Sequence, residues 1–130
     1  MKMTLKKYMC ALIAAVLYAQ IALSAQEPSR AEHENRILSA VQLYSDRDIE
    51  GARGVLASVL AEDPDNDAAW YYLGLAALAE RDTVQAEECL RKAVELDPGN
   101  FWYRYRLASL YAVTQRKELT IDMYETLLED

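Results

Sequence analysis

Residues that break, staple or metallate a chain are rare in this sequence. Of 130 residues, 4 are glycine, 3 proline, 2 cysteine and 1 histidine. Scarce glycine and proline beside abundant Ala, Leu and Glu leave few helix breakers and many helix formers, which selects an all-α class over a turn-rich β fold. The cysteine and histidine count is too low for a zinc site, so no metal is expected. His33 stands at the start of its segment, a poor place to build a Ser-His-Asp or Cys-His constellation. Gly51, Gly54, Gly74 and Gly99 match neither the dinucleotide nor the P-loop spacing, so no nucleotide or other cofactor is expected. Cations are also short, with a formal charge of −7 and no Lys/Arg cluster, which argues against nucleic acid as a partner. The plentiful carboxylates, among them Glu87-Glu88, Asp46, Asp48, Asp65 and Asp67, fall on turns or a polar helix face. No apolar pocket is there to raise a pKa for acid/base work. Enzymatic activity is therefore not expected.

What is present begins with an address. Lys2, Lys6 and Lys7 precede an apolar run from about Tyr8, and small residues Ala22, Ser24 and Ala25 follow. This is the three-part layout of a secretory signal, with cleavage expected after Ala25, export to the periplasm or cell envelope, and a linker over 26–32. The alternative is an uncleaved membrane anchor, although Gln20 interrupts the apolar run and a full span needs roughly 20 apolar residues. Cys10 follows Lys7, Tyr8 and Met9, not the small apolar residues a lipidation signal needs. Only Cys89 would survive processing, so no disulfide forms within the mature chain, and Cys89 reads as a small, partly buried helix residue.

Beyond the address, the chain repeats itself. Asp63-Pro64-Asp65-Asn66 and Asp97-Pro98-Gly99-Asn100 lie 34 residues apart. Starting each unit after the Asn gives repeats at 33–66, 67–100 and 101–130. The middle unit carries Trp70, Leu73, Gly74, Ala77, Ala86, Leu90, Ala93 and Pro98, and on these residues the chain resembles the tetratricopeptide-repeat family. The first unit keeps Ala52, Leu56, Val59 and Pro64 but has Arg36 and Ser39-Ala40 where the family has a large apolar residue and Leu-Gly. The third has Leu107-Ala108, Tyr111 and Tyr124, and departs at Arg104 and Thr120. The resemblance implies a right-handed α-solenoid of antiparallel helix pairs, three repeats long and covering nearly all of the mature chain.

Patterning supports this independently. Apolar residues fill nearly every position of 68–79, as in a central helix, while 84–96 alternates Val84, Leu90, Val94 and Leu96 with charges, as in a peripheral one. Gly74 inside a helix costs about 1 kcal/mol against Ala, which close approach of a partner helix offsets, with Ala86 expected to supply the room. The Asp-Pro pairs stop helices, because the residue before proline is pushed out of the α region. Helices are expected near 31–45, 49–62, 67–80, 84–96, 101–114 and 118–129.

In the family, the first helices of successive repeats line a concave groove. The resemblance assigns to it Tyr71, Tyr72, Leu75 and Leu78, then Trp102, Tyr105, Arg106 and Ser109, with Ile37, Val41 and Tyr44 from the first repeat. Aromatic residues and Arg carry much interface energy, so the expected partner is a peptide or helix of another protein; packing between helices is the competing account of Tyr71, Tyr72, Trp102 and Tyr105. Ile37, Val41, Tyr72 and Trp102 replace Lys and Asn residues of the family's clamp for terminal carboxylates, and only Arg106 matches, which implies a more apolar ligand. The expected role is a scaffold or adaptor. Alternatives are a spacer or assembly platform that self-associates through an uncapped C-terminal end, or the front part of a longer envelope enzyme or receptor continuing beyond Asp130.

Overall fold

The computed structural model describes residues 2–24 and 29–129, and all regular structure among them is helical. The helices are α1 (Lys2–Ser24), α2 (Arg30–Ser45), α3 (Ile49–Glu62), α4 (Asp67–Ala79), α5 (Thr83–Leu96), α6 (Phe101–Val113) and α7 (Lys117–Leu128). Each of α2 to α7 begins and ends within one residue of its sequence-based expectation. The chain divides into two compact units, Met1–Glu32 and His33–Asp130.

In the first unit every described side chain from Thr4 to Ala22 is exposed. The same stretch, Thr4–Ala22, is long and apolar enough to cross a membrane by length and composition. Its apolar residues point in all directions, from Leu5 and Tyr8 to Tyr18 and Ile21, so α1 lacks the polar face a surface helix shows to water. The expected cleavage bond after Ala25 lies outside the described residues, as do positions 26–28 of the linker.

The second unit is set out by short-range signals. Asp48, Asn66, Asp82 and Asn100 cap α3, α4, α5 and α6, their side-chain oxygens accepting from the backbone N–H of Gly51, Ala69, Gln85 and Trp102 at 2.9, 3.0, 3.0 and 3.1 Å. Asp63 and Asp97, each followed by proline, end α3 and α5. Within each pair the turn passes through one non-glycine residue in the left-handed region, Arg47, Arg81 and Gln115, at φ of 65°, 63° and 61°. The following amide closes each turn, with Asp48, Asp82 and Arg116 N–H donating to the carbonyls of Leu43, Ala77 and Tyr111 at 2.9, 3.0 and 2.9 Å. These positions recur every 34 residues, so the third pair turns as the others do despite Arg104 and Thr120.

Packing follows the same period. One buried cluster joins Ile37, Ala40, Leu56, Val59 and Ala69, and a second joins Ala77, Ala86, Leu90, Leu107, Leu110 and Tyr111. Each core thus lies between one helix pair and the first helix of the next. Both lie wholly within residues 37–111, and the described side chains of α1 add nothing to them, so the repeat unit carries its own means of folding. Trp70 is half-buried, its indole N–H donating to the Pro64 carbonyl at 2.8 Å, while Leu73 packs on the first cluster and Ala52 and Ala93 are buried. Close approach at Gly74 comes from other residues than expected. A Cβ there would lie 3.0 Å from Leu90 Cγ and 3.3 Å from Cys89 Cβ, one turn beyond Ala86 on α5.

Polar contacts bridge successive elements as well. Arg53 on α3 pairs with Glu80 and donates to Gln85 Oε1 at 2.7 Å, and Arg116 donates to Glu87 at 2.8 Å. Such half-exposed pairs set register more than they add stability.

Candidate partner-binding face

The exposed aromatic surface of the repeat unit belongs to α6. Asn100 caps that helix, and the first turn then presents Phe101 and Trp102, with Tyr105 one turn on; their exposures are 47%, 62% and 38%. Phe101 and Tyr105 stack nearly parallel, 9° apart with centroids at 6.0 Å, as i, i+4 neighbours on one face do. Trp102 stands edge-on to both, at 5.4 Å from Phe101 and 6.2 Å from Tyr105. The three rings therefore form one continuous patch. Arg106 is exposed beside it, and Ser109 is half-buried with its hydroxyl donating back to the Tyr105 carbonyl at 2.8 Å.

The remaining groove residues expected from sequence sit differently. Tyr71, Tyr72, Leu75, Leu78, Val41 and Tyr44 are half-buried, and Ile37 is buried in the first cluster, where it has no surface to offer a ligand. Tyr71 packs on the second cluster, stacks on Tyr103 at 4.7 Å and meets Tyr72 edge-on at 5.2 Å. Tyr72 packs on the first cluster. Two exposed apolar residues were missed: Phe101, and Leu38 on α2 at 66%. The i, i+4 spacing of Phe101 to Tyr105 was the available signal for the former.

Electrostatics mark fixed positions more than reactive ones. The Tyr103 hydroxyl donates to Asp67 Oδ2 at 2.8 Å, and burial followed by that carboxylate pushes its pKa well above the ordinary tyrosine range. This bond ties α6 to the start of α4. Burial, with Glu87 adding to it, likewise raises Tyr111. Burial pushes the Cys89 thiol up to about 11, with Glu88 contributing, the opposite of what a reactive thiol needs.

His33 departs from expectation. It is not at a frayed end but buried within α2, its Nε2 3.2 Å from Glu62 Oε2 and its Nδ1 3.8 Å from Asp63 Oδ2. Arg36 also donates to Glu62, at 2.6 Å, and to Ser58 Oγ at 2.5 Å. Hydrogen bonds from Arg36 and then His33 hold the Glu62 carboxyl below its ordinary pKa of 4.5. The cluster fastens the start of α2 to the end of α3. Among the described residues, no group of three or more His, Cys, Asp or Glu side chains is gathered as metal ligands.

Comparison with known proteins agrees with this architecture. Residues 38–101 match the family model described as tetratricopeptide repeat. The Xenopus laevis tetratricopeptide repeat protein 37 is 35% identical over 75 residues, covering 55% of this chain and 5% of that much longer protein. Among solved structures, the first repeat domain of Spaghetti (RPAP3), bound to the HSP90 peptide SRMEEVD, superposes with a TM-score of 0.72 at 16% identity, over 80% of this chain and 82% of that one. A mutant Thermobaculum terrenum O-GlcNAc transferase superposes with a TM-score of 0.71 at 28% identity, over 78% of this chain but only 20% of the transferase. The fold thus occurs both as a peptide-binding domain and within an enzyme. Repeated Asp-Pro stops, matching turns, cores shared between successive pairs and the family match at 38–101 agree: this chain carries tetratricopeptide repeats, and its unit from His33 onward has their all-helical solenoid fold.

Proposed function

We propose that this chain is an exported, non-catalytic adaptor whose repeat unit holds a peptide or helix of another protein against the aromatic face of α6. The observation that carries the reading is the patch of Phe101, Trp102 and Tyr105, three rings in contact with one another and open to solvent. Aromatic residues bury a large area at low entropic cost, and an Arg beside them adds a charged hydrogen-bond donor. Arg106 supplies that charge. Tyr71, Tyr72 and Leu75, half-buried behind the patch, support it and contribute their exposed edges, and Ser109 lies on its border. The repeat family acts in general through protein–protein contacts, and the Spaghetti domain's bound peptide gives one instance.

The α1 segment serves as the export signal in this reading. An apolar helix preceded by lysines and followed by small residues has the composition of a secretory address, and its all-round apolar surface suits a translocon or bilayer. Amino-terminal sequencing of the protein recovered from an envelope fraction tests this: a start at Gln26 supports cleavage, and a start at Met1 with membrane retention replaces the signal by an anchor.

The binding face is tested by affinity capture on the exported chain beside a Trp102→Ala, Arg106→Ala variant. Both side chains are exposed, so the variant keeps its fold. A specific protein held by the parent and lost from the folded variant supports the adaptor reading; identical capture by both removes α6 from the binding site.

A further inference from the structure

The 34-residue period identifies a helix-docking groove that the second unit leaves open. Tyr71, Leu78 and Val94 pack against the cluster that α6 completes by lying on the α4–α5 pair. One period later stand Tyr105, Ala112 and Leu128 on the α6–α7 pair, all exposed, Leu128 to 86%. A surface pocket lined by Ala112, Gln115, Lys117, Thr120 and Ile121 marks the place. Among the described residues of this unit, α7 is the one helix with no buried residue. Ile121 at 57% exposure, half-buried Tyr124 and Leu128 form an i, i+3, i+7 apolar stripe along it.

The chain itself shows what fits such a groove. The helix α4 docks on α2–α3 through Ala69 and Leu73, with Ala76 buried on the same stripe, and α6 docks on α4–α5 through Tyr103, Leu107 and Leu110. At the equivalent places α2 carries Asn35, Ser39 and Gln42, all exposed and polar, so a second copy cannot add head to tail. The outer faces of α3 (Gly54, Ala57, Ser58, Ala61) and α5 (Val84, Glu88, Arg91, Glu95) offer no comparable stripe. In this unit the free apolar stripe of docking spacing is that of α7. Its charges run from Lys117, at the head of the stripe, to Glu125 and Glu129 at its other end. An antiparallel second α7 therefore sets Lys117 beside Glu125 and Glu129 of the other copy.

We propose that the repeat unit forms a two-fold dimer, each copy laying α7 into the open α6–α7 groove of the other. The contact is reciprocal and the polar face of α2 stops further addition, so assembly closes at two. This surface is separate from Trp102 and Arg106, and the proposal stands apart from the adaptor reading.

Sedimentation equilibrium on the chain from Ser29 to Asp130, over a range of concentrations, is the test. The expected result is a monomer–dimer equilibrium with nothing larger. Ile121→Asp with Leu128→Asp should weaken it by on the order of 100-fold or more while helical circular dichroism is unchanged, because both side chains are exposed and the change buries charge only in the dimer. Should that variant lose helix, Lys117→Glu provides a second: it weakens the dimer about tenfold, and Glu125→Lys with Glu129→Lys added to it restores association. A parent that stays monomeric throughout overturns the proposal. So does a dimer that survives the double Asp variant, or one that the charge exchange fails to rescue.

Discussion

The second and third helix pairs follow one plan and meet different surroundings. Leu90 and Ala86 of α5 are fully buried, whereas their counterparts one period on, Tyr124 and Thr120, are half-buried; Val94 is half-buried and its counterpart Leu128 is exposed. At the shared cap position Asp82 accepts from Gln85 N–H, while Arg116 caps nothing with its side chain and reaches to Glu87 instead. Burial here is a property of the stack and not of the repeat. The same helix-pair geometry encloses its apolar residues only where another helix lies on top, as α6 does for the second pair.

The largest test of that contrast is truncation at equivalent depth along the two pairs. Leu90→Ala should cost about 3 kcal/mol in denaturant unfolding, from lost burial and the cavity left in the second cluster. Leu128→Ala, measured on the monomer, should stay within about 0.5 kcal/mol. Equal losses would mean that the third pair is enclosed after all.

Glycine separates close approach from open surface. Gly74→Ala gains about 1 kcal/mol of helix propensity yet must displace Leu90 and Cys89, so a net loss of about 1 kcal/mol is expected. Gly54→Ala on α3, where an added Cβ meets nothing within 4 Å, should stabilise by up to about 1 kcal/mol. Thermal melts of the two variants should move in opposite directions, and a shared direction would break the argument for tight α4–α5 contact.

A smaller effect is expected at the caps. Asp82→Ala should cost about 1 kcal/mol by orphaning the Gln85 amide. Arg116→Ala should cost less, since no cap bond is lost there, and its loss should shrink in salt as the Glu87 pair is screened. Unfolding curves at low and high salt distinguish the two.

The smallest effect concerns pH and the first pair. Glu62 titrates below its ordinary value of 4.5 because Arg36 and His33 hold it charged. A depressed carboxyl contributes stability that is complete above the unfolded value and is lost as pH falls through the folded one. Between about pH 5 and pH 3 the melting temperature of the parent should therefore drop slightly more than that of a Glu62→Gln variant, read against each protein's own value at neutral pH. Parallel curves would remove the Arg36–His33–Glu62 cluster as a stabilising contact.

Helix bounds were legible because their signals are local. A proline excludes the residue before it from the α region, and an Asn or Asp cap bonds an amide two or three residues on, so the Asp-Pro stops and the caps at Asn66 and Asn100 act wherever the chain sits. The candidate site was less legible. Ile37 has the repeat position of a groove residue yet is buried under the next helix, and Phe101 joins Trp102 and Tyr105 although no groove assignment pointed to it. Gly74 was identified as a close contact, but its neighbours are Leu90 and Cys89 and not Ala86. His33, expected at a loose end, is locked between two carboxylates that lie about 30 residues away in sequence.

The sequence by itself determined helices, stops, caps and the 34-residue period, since each depends on bonds and steric limits spanning only a few residues. Tertiary structure alone decided which equivalent side chains are enclosed, which aromatic rings share a surface and which helix keeps a free apolar stripe. Those outcomes depend on what lies across the next helix, and a repeat that encodes its own shape does not encode its neighbour.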